Sequence, residues 1–301
     1  MTLRQKIESI LSQIRELEQN PSPDKKLPQN TYYLGERDIV CYPREEGESR
    51  YPYDADGLVV WARSSGYIEA CESTFNIFQT VHFSEDPSVN FFAGIPMDSG
   101  DYYPISLLGA SRQLFEPLAA DRYVVYSPRC AYYITDTEQV TFAVRLHTDK
   151  EKHIHFSVVA INKTQDSIPF YLASYHYAIL QFAETEAFWD RMNKFGSRLS
   201  ESSTLLRTSD NCLLINTSSI GGTVTDAYYT VAKSDFLGYR GRGVTNAEAL
   251  RTGTFKKQAK EATTTEIPAA CDMIHMELAP GEMVRREYDL SYYHDIAKAK
   301  S

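Results

Sequence analysis

The first apolar pattern in the chain has the period of an amphipathic helix. Thr2 and Gln5 match a capping box, and the Pro-rich segment Asn20-Pro21-Ser22-Pro23-Asp24 ends the pattern. The sequence therefore predicts a helix over Thr2–Gln19, and its apolar stripe is expected to lie on a sheet, with a partner helix or a second subunit as the alternative. The stripe consists of apolar residues spaced three or four apart: Leu3, Ile7, Ile10, Leu11, Ile14 and Leu17.

From Lys25 onward the pattern changes to the two-residue period of β-strands, most clearly over Val140–Ile161. The apolar positions form two alternating runs, Val140, Phe142, Val144 and Leu146, then Ile154, Phe156, Val158 and Ala160. A slip of one residue would turn every side chain to the other face, so the apolar faces restrict the register. The predicted hairpin places Leu146 opposite Ile154 and Val144 opposite Phe156, with Thr148–Lys152 as the connection.

Further strands are predicted along the rest of the chain. Phe170–Leu180 alternates with an aromatic face, and Pro280-Gly281 is typical of a type II turn joining Asp272–Leu278 to Met283–Leu290. Shorter strand-like pieces are Tyr123–Ser127, Tyr132–Thr135, Cys212–Asn216 and Tyr228–Ala232. Because alternating βα units are absent, the pattern favours a mainly β protein, a large antiparallel β-sandwich with an N-terminal helix.

The predicted organisation has three segments. Residues 1–24 form the N-terminal helix and its linker, 25–290 the sandwich, and 291–301 the start of a linker helix. The net charge is −9, which disfavours non-specific binding to nucleic acid or anionic lipid. The chain has no run of 18 apolar residues, so the sequence predicts no membrane-spanning helix. The five cysteines form no Cys-x-x-Cys pair, so we expect buried thiols in a reducing, cytoplasmic protein.

Three histidines lie on the predicted hairpin. In the predicted register His147 faces His153 and His155 faces Arg145, and only the loop residues Asp149 and Glu151 could add a third metal ligand. The nearby arginine disfavours a cation, so we expect a solvated polar face. No metal and no cofactor is predicted, and Asp54-Ala55-Asp56-Gly57 is interpreted as a turn rather than half of a calcium loop.

Two segments have the composition of a carbohydrate contact. Arg240 and Arg242 alternate with glycines in Gly238–Gly243, which suits either a basic loop or a loop that binds a polyol or an anion. The second segment mixes aromatic and charged residues that could stack on sugar rings and bond hydroxyls, with a core role for Trp61 as the alternative. Its candidates are Arg50, Tyr51, Tyr53, Asp56 and Trp61.

Several segments, in their order along the chain, resemble glycoside hydrolase family 94. Phe236–Leu250 resembles the family's F-x-G-R…N-P-x-A-L loop, with Tyr239 inserted before the arginine and Ala247-Glu248 at the Asn-Pro step. Leu278-Ala279-Pro280-Gly281-Glu282 resembles its L-A-P-G-E turn, and Glu151–Asn162 with Ala173-Ser174-Tyr175 resembles its paired strands. Gly47–Tyr53, Asp56-Gly57 and Ser64–Tyr67 are similar to the β-1,2-oligoglucan phosphorylase branch.

The resemblance implies a mutarotase-like supersandwich domain that precedes an (α/α)6 barrel. In that family the barrel holds the catalytic acid and the phosphate site, and the enzyme performs inverting phosphorolysis of a β-glucoside with inorganic phosphate. Family members are typically dimers, with the N-terminal domain at the interface. No catalytic residue is therefore assigned to this chain, and the implied partners are a β-glucan oligosaccharide, a barrel domain or subunit and a second copy.

Three hypotheses follow from the sequence. The first is a non-catalytic module that packs on a family 94 barrel and shapes a glucan site. The second is a sugar mutarotase or epimerase, in which His176 or His275 works with a nearby Glu. The third is a dimerisation scaffold that uses the N-terminal helix and the tail.

Overall fold

The computed structural model describes residues 3–14, 31–34, 37–41, 49–78, 87–109, 120–182, 195–199, 202–208, 211–239, 243–256 and 268–299. Within these residues every strand pair is antiparallel, and the strands form three sheets. The predicted fold class, a mainly antiparallel β-sandwich with an N-terminal helix, is confirmed.

The largest sheet has ten strands. Their spatial order is β1 (Thr31–Leu34), β2 (Asp38–Cys41), β9 (Asp121–Tyr126), β10 (Cys130–Asp136), β11 (Val140–Thr148), β12 (Ile154–Asn162), β20 (Met283–Tyr293), β17 (Asn211–Ile220), β16 (Ser203–Thr208) and β15 (Phe195–Leu199).

Two five-stranded sheets complete the sandwich. The first has the order β18 (Thr223–Ala232), β19 (Pro268–Leu278), β13 (Ile168–His176), β7 (Val89–Pro96) and β8 (Tyr102–Ser106). The second has the order β14 (Gln181–Phe182), β6 (Phe75–Phe78), β5 (Ile68–Glu72), β4 (Leu58–Arg63) and β3 (Arg50–Ala55). One core cluster contains buried side chains from all three sheets, for example Phe142, Leu172 and Val60.

The N-terminal helix α1 (Leu3–Ile14) lies on the outer face of the ten-stranded sheet. Ile7 and Leu11 are buried there against Val125 and Tyr132. Lys6 adds ion pairs to Asp121 at 2.8 Å and Asp136 at 2.6 Å. The sequence prediction that the stripe covers a sheet is confirmed, while the predicted continuation of the helix to Gln19 lies outside the described residues.

Short helices cover the outer face of the sheet that contains β13. Helix α2 (Lys233–Leu237), a 3₁₀ turn (Val244–Asn246) and helix α3 (Glu248–Thr252) pack on it. They bury an aromatic surface that includes the predicted aromatic face of β13. A second 3₁₀ turn (Ile296–Lys298) follows β20, where the sequence analysis expected a linker helix to begin.

The hairpin of β11 and β12 forms as predicted, but its register is two residues away from the prediction. Leu146 pairs with Phe156, Val144 with Val158 and His147 with His155. The connection is consequently Asp149–His153 rather than Thr148–Lys152. Asp149 sets this loop, because its carboxylate accepts the backbone N–H groups of Glu151 and His153 at 2.9 and 3.0 Å.

The predicted turn at Pro280-Gly281 is present, but it does not join a hydrogen-bonded hairpin. Glu282 N–H donates to the Ala279 carbonyl at 3.0 Å, and Gly281 has a φ of 68°, which suits a type II turn. β19 belongs to a five-stranded sheet and β20 to the ten-stranded sheet, so the turn carries the chain across the core. Asn162 fixes this crossing by donating to the carbonyls of Leu278 and Ala279.

Candidate functional site

A polar network lies inside the sandwich, between the ten-stranded sheet and the sheet of β13. Ser174 and Asp272 are opposite each other on β13 and β19, and Ser174 donates a short hydrogen bond to that carboxylate. From the facing β20, Arg286 Nε donates to Asp272 at 3.0 Å, and its NH2 group makes a closer contact with the same carboxylate. The hydroxyl of Tyr288 lies 3.2 Å from Asp272 Oδ1.

The chain crossing at Pro280-Gly281 explains why these groups meet. β19 and β20 are consecutive strands in opposite layers, so the inward-facing side chains of β19 face those of β20 across the core. Burial acts to lower the pKa of Arg286, but the Asp272 carboxylate outweighs it and raises that pKa above the ordinary range. The guanidinium therefore stays charged, and the network is a bonded ion pair that links the two layers.

His176 lies next to this network at the inner end of β13. It is buried, with its ring among Phe91, Phe156 and Tyr288. Burial lowers its pKa to about 4, so the ring is neutral at pH 7. Its Nε2 atom has no hydrogen-bond partner among the described residues.

A narrow recess opens beside His176. It is lined from both layers, by Ser174 and Asp272 on one side and by Thr204, Thr217 and Tyr288 on the other. Its water-accessible volume is about 20 Å³, which accommodates roughly one water molecule. The recess therefore has room for about one water molecule beside His176.

His275, the other candidate base, is already engaged on both ring nitrogens. Nδ1 lies 3.2 Å from the Tyr102 hydroxyl, and Nε2 lies 2.6 Å from the Gly253 carbonyl. It packs against helix α3, on the far side of the sheet from His176. The carboxylate that acts to raise the pKa of His176 is Asp272 and not a Glu. The two histidines predicted as alternative bases therefore occupy separate environments.

The predicted sugar contacts of β3 and β4 divide between two faces of their sheet. Arg50 and Trp61 share the outer face, where the guanidinium lies 4.7 Å above the indole ring. Beside them Arg63 donates from one guanidinium nitrogen, Nη2, to both carboxylate oxygens of Glu69, at 2.8 and 2.9 Å. Trp61 is half-buried and Arg50 is exposed, so this aromatic and charged surface, made of Arg50, Trp61, Arg63 and Glu69 and here termed the Trp61 face, is open to solvent.

Tyr51 and Tyr53 project to the opposite, inner face. Tyr51 stacks on Tyr126 with ring centroids 5.7 Å apart, and Tyr53 is 4% exposed with its hydroxyl donating to the Ser127 carbonyl at 3.2 Å. Asp56 lies at the tight Asp56-Gly57 turn between β3 and β4, with its carboxylate 4.0 Å from Lys152. These three positions lie apart from the Trp61 face.

Arg240 and Arg242 lie outside the described residues, but both flanks of their loop are fixed. Phe236 and Val244 are fully buried in the aromatic surface under helices α2 and α3. Leu250 is buried there too, and its carbonyl accepts a 2.5 Å hydrogen bond from Tyr171. The conspicuous apolar positions of the family-like loop thus serve to anchor it on the sheet.

A second polar cluster occupies the turn end of the β11–β12 hairpin. Asp149 Oδ2 lies 2.9 Å from His155 Nε2 and 3.2 Å from His153 Nδ1, and these three ligand-type atoms all lie within 4.8 Å of one another. Asp289 of β20 lies 2.5 Å from His155 Nδ1. Burial acts to raise the pKa of Asp149, but hydrogen bonds from the His153 backbone and the His155 ring hold it at about 2.

The sequence predicted a solvated polar face rather than a metal site for the histidines and Asp149, and it did not predict the interior network. The predicted register placed His155 opposite Arg145, whereas the observed one brings Asp149 back to the histidines. Asp272 and Arg286 fall within predicted strands, and a charged residue at an inward-facing strand position is the signal that could have singled them out.

No protein-family model matches the chain, and no curated protein matches it. Solved structures that are similar include a protein of Escherichia coli K12 assigned to the aldose 1-epimerases (10% identity, TM-score 0.46, 82% of this chain and 99% of that one). Galactose 1-epimerase from Lactobacillus acidophilus NCFM gives 10% identity, a TM-score of 0.45 and coverage of 85% and 98%. A human-microbiome protein assigned as a kojibiose phosphorylase gives 8% identity and a TM-score of 0.43, and the match covers 92% of this chain and 35% of that one.

These similarities are distant, and the chain spans about a third of the length of the phosphorylase. The chain's own residues have to support any functional assignment. No helix within the described residues is long and apolar enough to cross a membrane.

Proposed function

We propose that this chain is a non-catalytic, carbohydrate-associated β-sandwich module of a family 94 type β-glucan phosphorylase, of the β-1,2-oligoglucan branch. It acts beside an (α/α)6 barrel that carries the catalytic acid and the phosphate site. The ordered set of family-like motifs supports the family assignment. The Trp61 face is the observation that supports the contact with carbohydrate.

The Trp61 face combines the two kinds of group that sugars require. An indole ring offers a flat apolar surface for the C–H face of a pyranose, and forked guanidinium and carboxylate groups bond its hydroxyls. Arg50 covers one face of the ring, but it is exposed, so it can swing aside or bond the sugar itself. A flat sheet surface of this kind suits an extended glucan strand rather than an enclosed monosaccharide.

The interior of the sandwich supports a structural rather than a catalytic role. Asp272, Arg286 and Tyr288 bond one another across the layers. The recess beside them holds about one water molecule. Catalysis is therefore assigned to the barrel, and this module contributes surface.

The family-like turn Leu278–Glu282 is held by side-chain hydrogen bonds. Glu282 accepts the N–H groups of Ala279 and Gly222 on its two carboxylate oxygens, at 3.0 and 3.1 Å. The turn is thereby tied to the loop between β17 and β18. The loop that contains Arg240 and Arg242 is the second proposed contact with sugar or a partner. Its flanks are anchored on the outer face of the sheet that contains β13.

Calorimetric titration with linear β-1,2-linked gluco-oligosaccharides tests the proposal. Trp61→Ala is expected to weaken binding by about tenfold or more, because an anchoring aromatic commonly contributes over about 1.4 kcal/mol. The double variant Arg240→Ala with Arg242→Ala is expected to weaken it as well. Val224→Ala, an exposed apolar substitution on a different sheet, is the matched control and should bind like the unaltered protein.

Oligosaccharide binding that is unchanged by Trp61→Ala, with the variant folded by circular dichroism, would remove the Trp61 face from the proposal. An absence of binding by the unaltered protein would remove the sugar contact altogether. A parallel titration with β-1,4-linked oligosaccharides decides the linkage, since the proposal expects the β-1,2 series to bind more tightly.

A stand-alone mutarotase is the second candidate, favoured by one observation. A neutral, buried His176 with an unpartnered Nε2 beside Asp272 has the chemistry of a general base, but it faces a recess of water size. Polarimetry on freshly dissolved glucose and galactose separates the candidates. The proposed module should leave the rate at the buffer value, whereas acceleration abolished by His176→Gln would establish the enzyme instead.

A further inference from the structure

The turn end of the β11–β12 hairpin has the composition and spacing of a metal centre. We propose that Asp149, His153 and His155 bind a divalent transition-metal ion of the zinc class, with water at the fourth position. The proposal is independent of any sugar contact, because the three side chains lie on a different sheet from the Trp61 face.

The positions of the three ligands follow from the local backbone. His155 is the second residue of β12 and His153 is the last residue of the loop before it, and both imidazoles lie next to Asp149 Oδ2. Asp149 is held by its Oδ1 atom, which accepts the N–H groups of Glu151 and His153. Its Oδ2 atom is therefore directed at the two imidazoles.

The distances suit a small tetrahedral ion. Zinc bonds of about 2.0–2.1 Å at tetrahedral angles separate ligand atoms by about 3.3 Å. Asp149 Oδ2 lies 3.2 Å from His153 Nδ1 and 2.9 Å from His155 Nε2, and all three atoms lie within 4.8 Å. Binding requires shifts of tenths of an ångström for two pairs and a closer approach of the two imidazoles.

Both ring nitrogens of His155 lie close to carboxylate oxygens. Nδ1 lies 2.5 Å from Asp289 Oδ1, and Nε2 lies 2.9 Å from Asp149 Oδ2. Imidazole nitrogens and carboxylate oxygens are ligand types that zinc-class ions prefer, so a cation among Asp149 Oδ2, His153 Nδ1 and His155 Nε2 would contact all three.

Asp289 has the arrangement of a residue that orients a metal ligand. Metal-binding histidines commonly donate their other ring N–H to a carboxylate, which fixes the tautomer and the ring orientation. Asp289 is opposite His155 on the neighbouring strand β20, so the backbone register itself provides this contact. We assign Asp289 as a positioning residue rather than a ligand.

The charges and the exposure around the cluster also fit a metal site with an open position. Asp149 and His153 are each 33% exposed and His155 is 18% exposed, so solvent reaches the ligands. The nearby Lys152 is turned away into a 2.6 Å ion pair with Glu72. Arg145 is the opposing cation on this face. The ring of His147, which stacks 4.6 Å from His155, lies two residues closer to the cluster than Arg145 does.

Titration of the untagged full chain with Zn²⁺, after removal of metals by a chelator, tests the site. We expect one ion per chain, and with Co²⁺ a visible spectrum of tetrahedral intensity that lacks a thiolate charge-transfer band. Asp149→Asn and His153→Ala should each weaken binding at least tenfold. Asp289→Asn should weaken it about ten- to a hundredfold while the stoichiometry stays at one ion.

His294→Gln is the matched control, since it removes an exposed histidine outside the three ligands and should leave affinity unchanged. Circular dichroism confirms that each variant is folded. Failure of the unaltered chain to bind one ion, or affinity unaffected by both ligand variants, would overturn the proposal. So would ¹⁵N spectra showing His155 protonated on both nitrogens at neutral pH in the presence of stoichiometric Zn²⁺.

Discussion

The burial of His176 makes the stability of the fold depend on pH. Its ring is enclosed by Phe91, Phe156 and Tyr288, and burial lowers its pKa from 6.5 to about 4. Between these two pH values the unfolded chain binds a proton at this residue and the folded chain does not. The stability of the fold is therefore unaffected by His176 above pH 6.5 and decreases as the pH falls toward 4.

We expect His176→Gln to flatten this pH dependence. A shift from 6.5 to about 4 corresponds to about 3 kcal/mol of unfolding free energy lost by the unaltered protein between those pH values. Urea unfolding at pH 7, 6, 5 and 4.5 measures it, with the variant expected to show the smaller decrease. His147, whose pKa burial also lowers to about 4, is present in both proteins and cancels in the comparison. Parallel curves for the two proteins would contradict the assignment.

The predicted contacts of β3 show what single-residue reasoning could have resolved. Tyr51 and Tyr53 alternate with Arg50, so a strand necessarily places the tyrosines on one face and the arginine on the other. Predicting the contact between Arg50 and Trp61 requires knowing how β3 and β4 align. The two-residue turn Asp56-Gly57 fixes that alignment. The division of the candidate set was therefore predictable, but which face is buried depends on the ten-stranded sheet.

At the level of elements, the β11–β12 hairpin shows what alternation determines and what it leaves open. Predicted and observed registers differ by two residues, so every side chain keeps its predicted face and only its partner changes. The loop decides between such registers, here through the Asp149 carboxylate and the backbone it binds. The approach of Asp149 to His153 and His155 was not predicted for this reason, because it depends on the cross-strand partner and the loop rather than on the face.

The crossing from β19 to β20 shows the same limit in another form. The type II turn was predictable from Pro280 and Gly281, yet a tight turn is compatible both with a hairpin and with a change of layer. Asn162 decides between them, since its side-chain amide binds the carbonyls of Leu278 and Ala279. That contact joins residues more than a hundred positions apart, and local sequence pattern carries no information about it.

At the scale of the whole molecule, the sandwich class followed from many short alternating strands, whereas the assembly of three sheets did not. The order of the ten-stranded sheet inserts β20 between β12 and β17, and β15 to β17 then extend one edge. Such long-range pairings depend on which surfaces remain unburied after the local hairpins have formed. Arg286 lies on β20 between β12 and β17, and Asp272 lies on β19 of the facing sheet, so the interior network is a consequence of global topology.

The Asp272–Arg286 pair is the charged link between the two layers, and its replacement tests how they are held. Both side chains are under 10% exposed. We expect Asp272→Leu or Arg286→Met alone to cost about 3–5 kcal/mol in urea unfolding, because each leaves its partner as an unpaired buried charge. Asp272→Leu combined with Arg286→Met removes both charges, so it should cost much less than the sum of the single changes.

The comparison of single and double variants also decides what the network is for. A double variant that is as stable as the unaltered protein would mean that the ion pair fixes how the two layers align without adding net stability, since hydrophobic replacement of buried ion pairs is often neutral. Additive losses would instead mean that Ser174, Ser219 and Tyr288, which lose their own partners when the pair is removed, contribute as much as the charges do. Either way, the outcome separates the scaffold role of the interior from the proposed sugar and metal contacts, which all lie outside it.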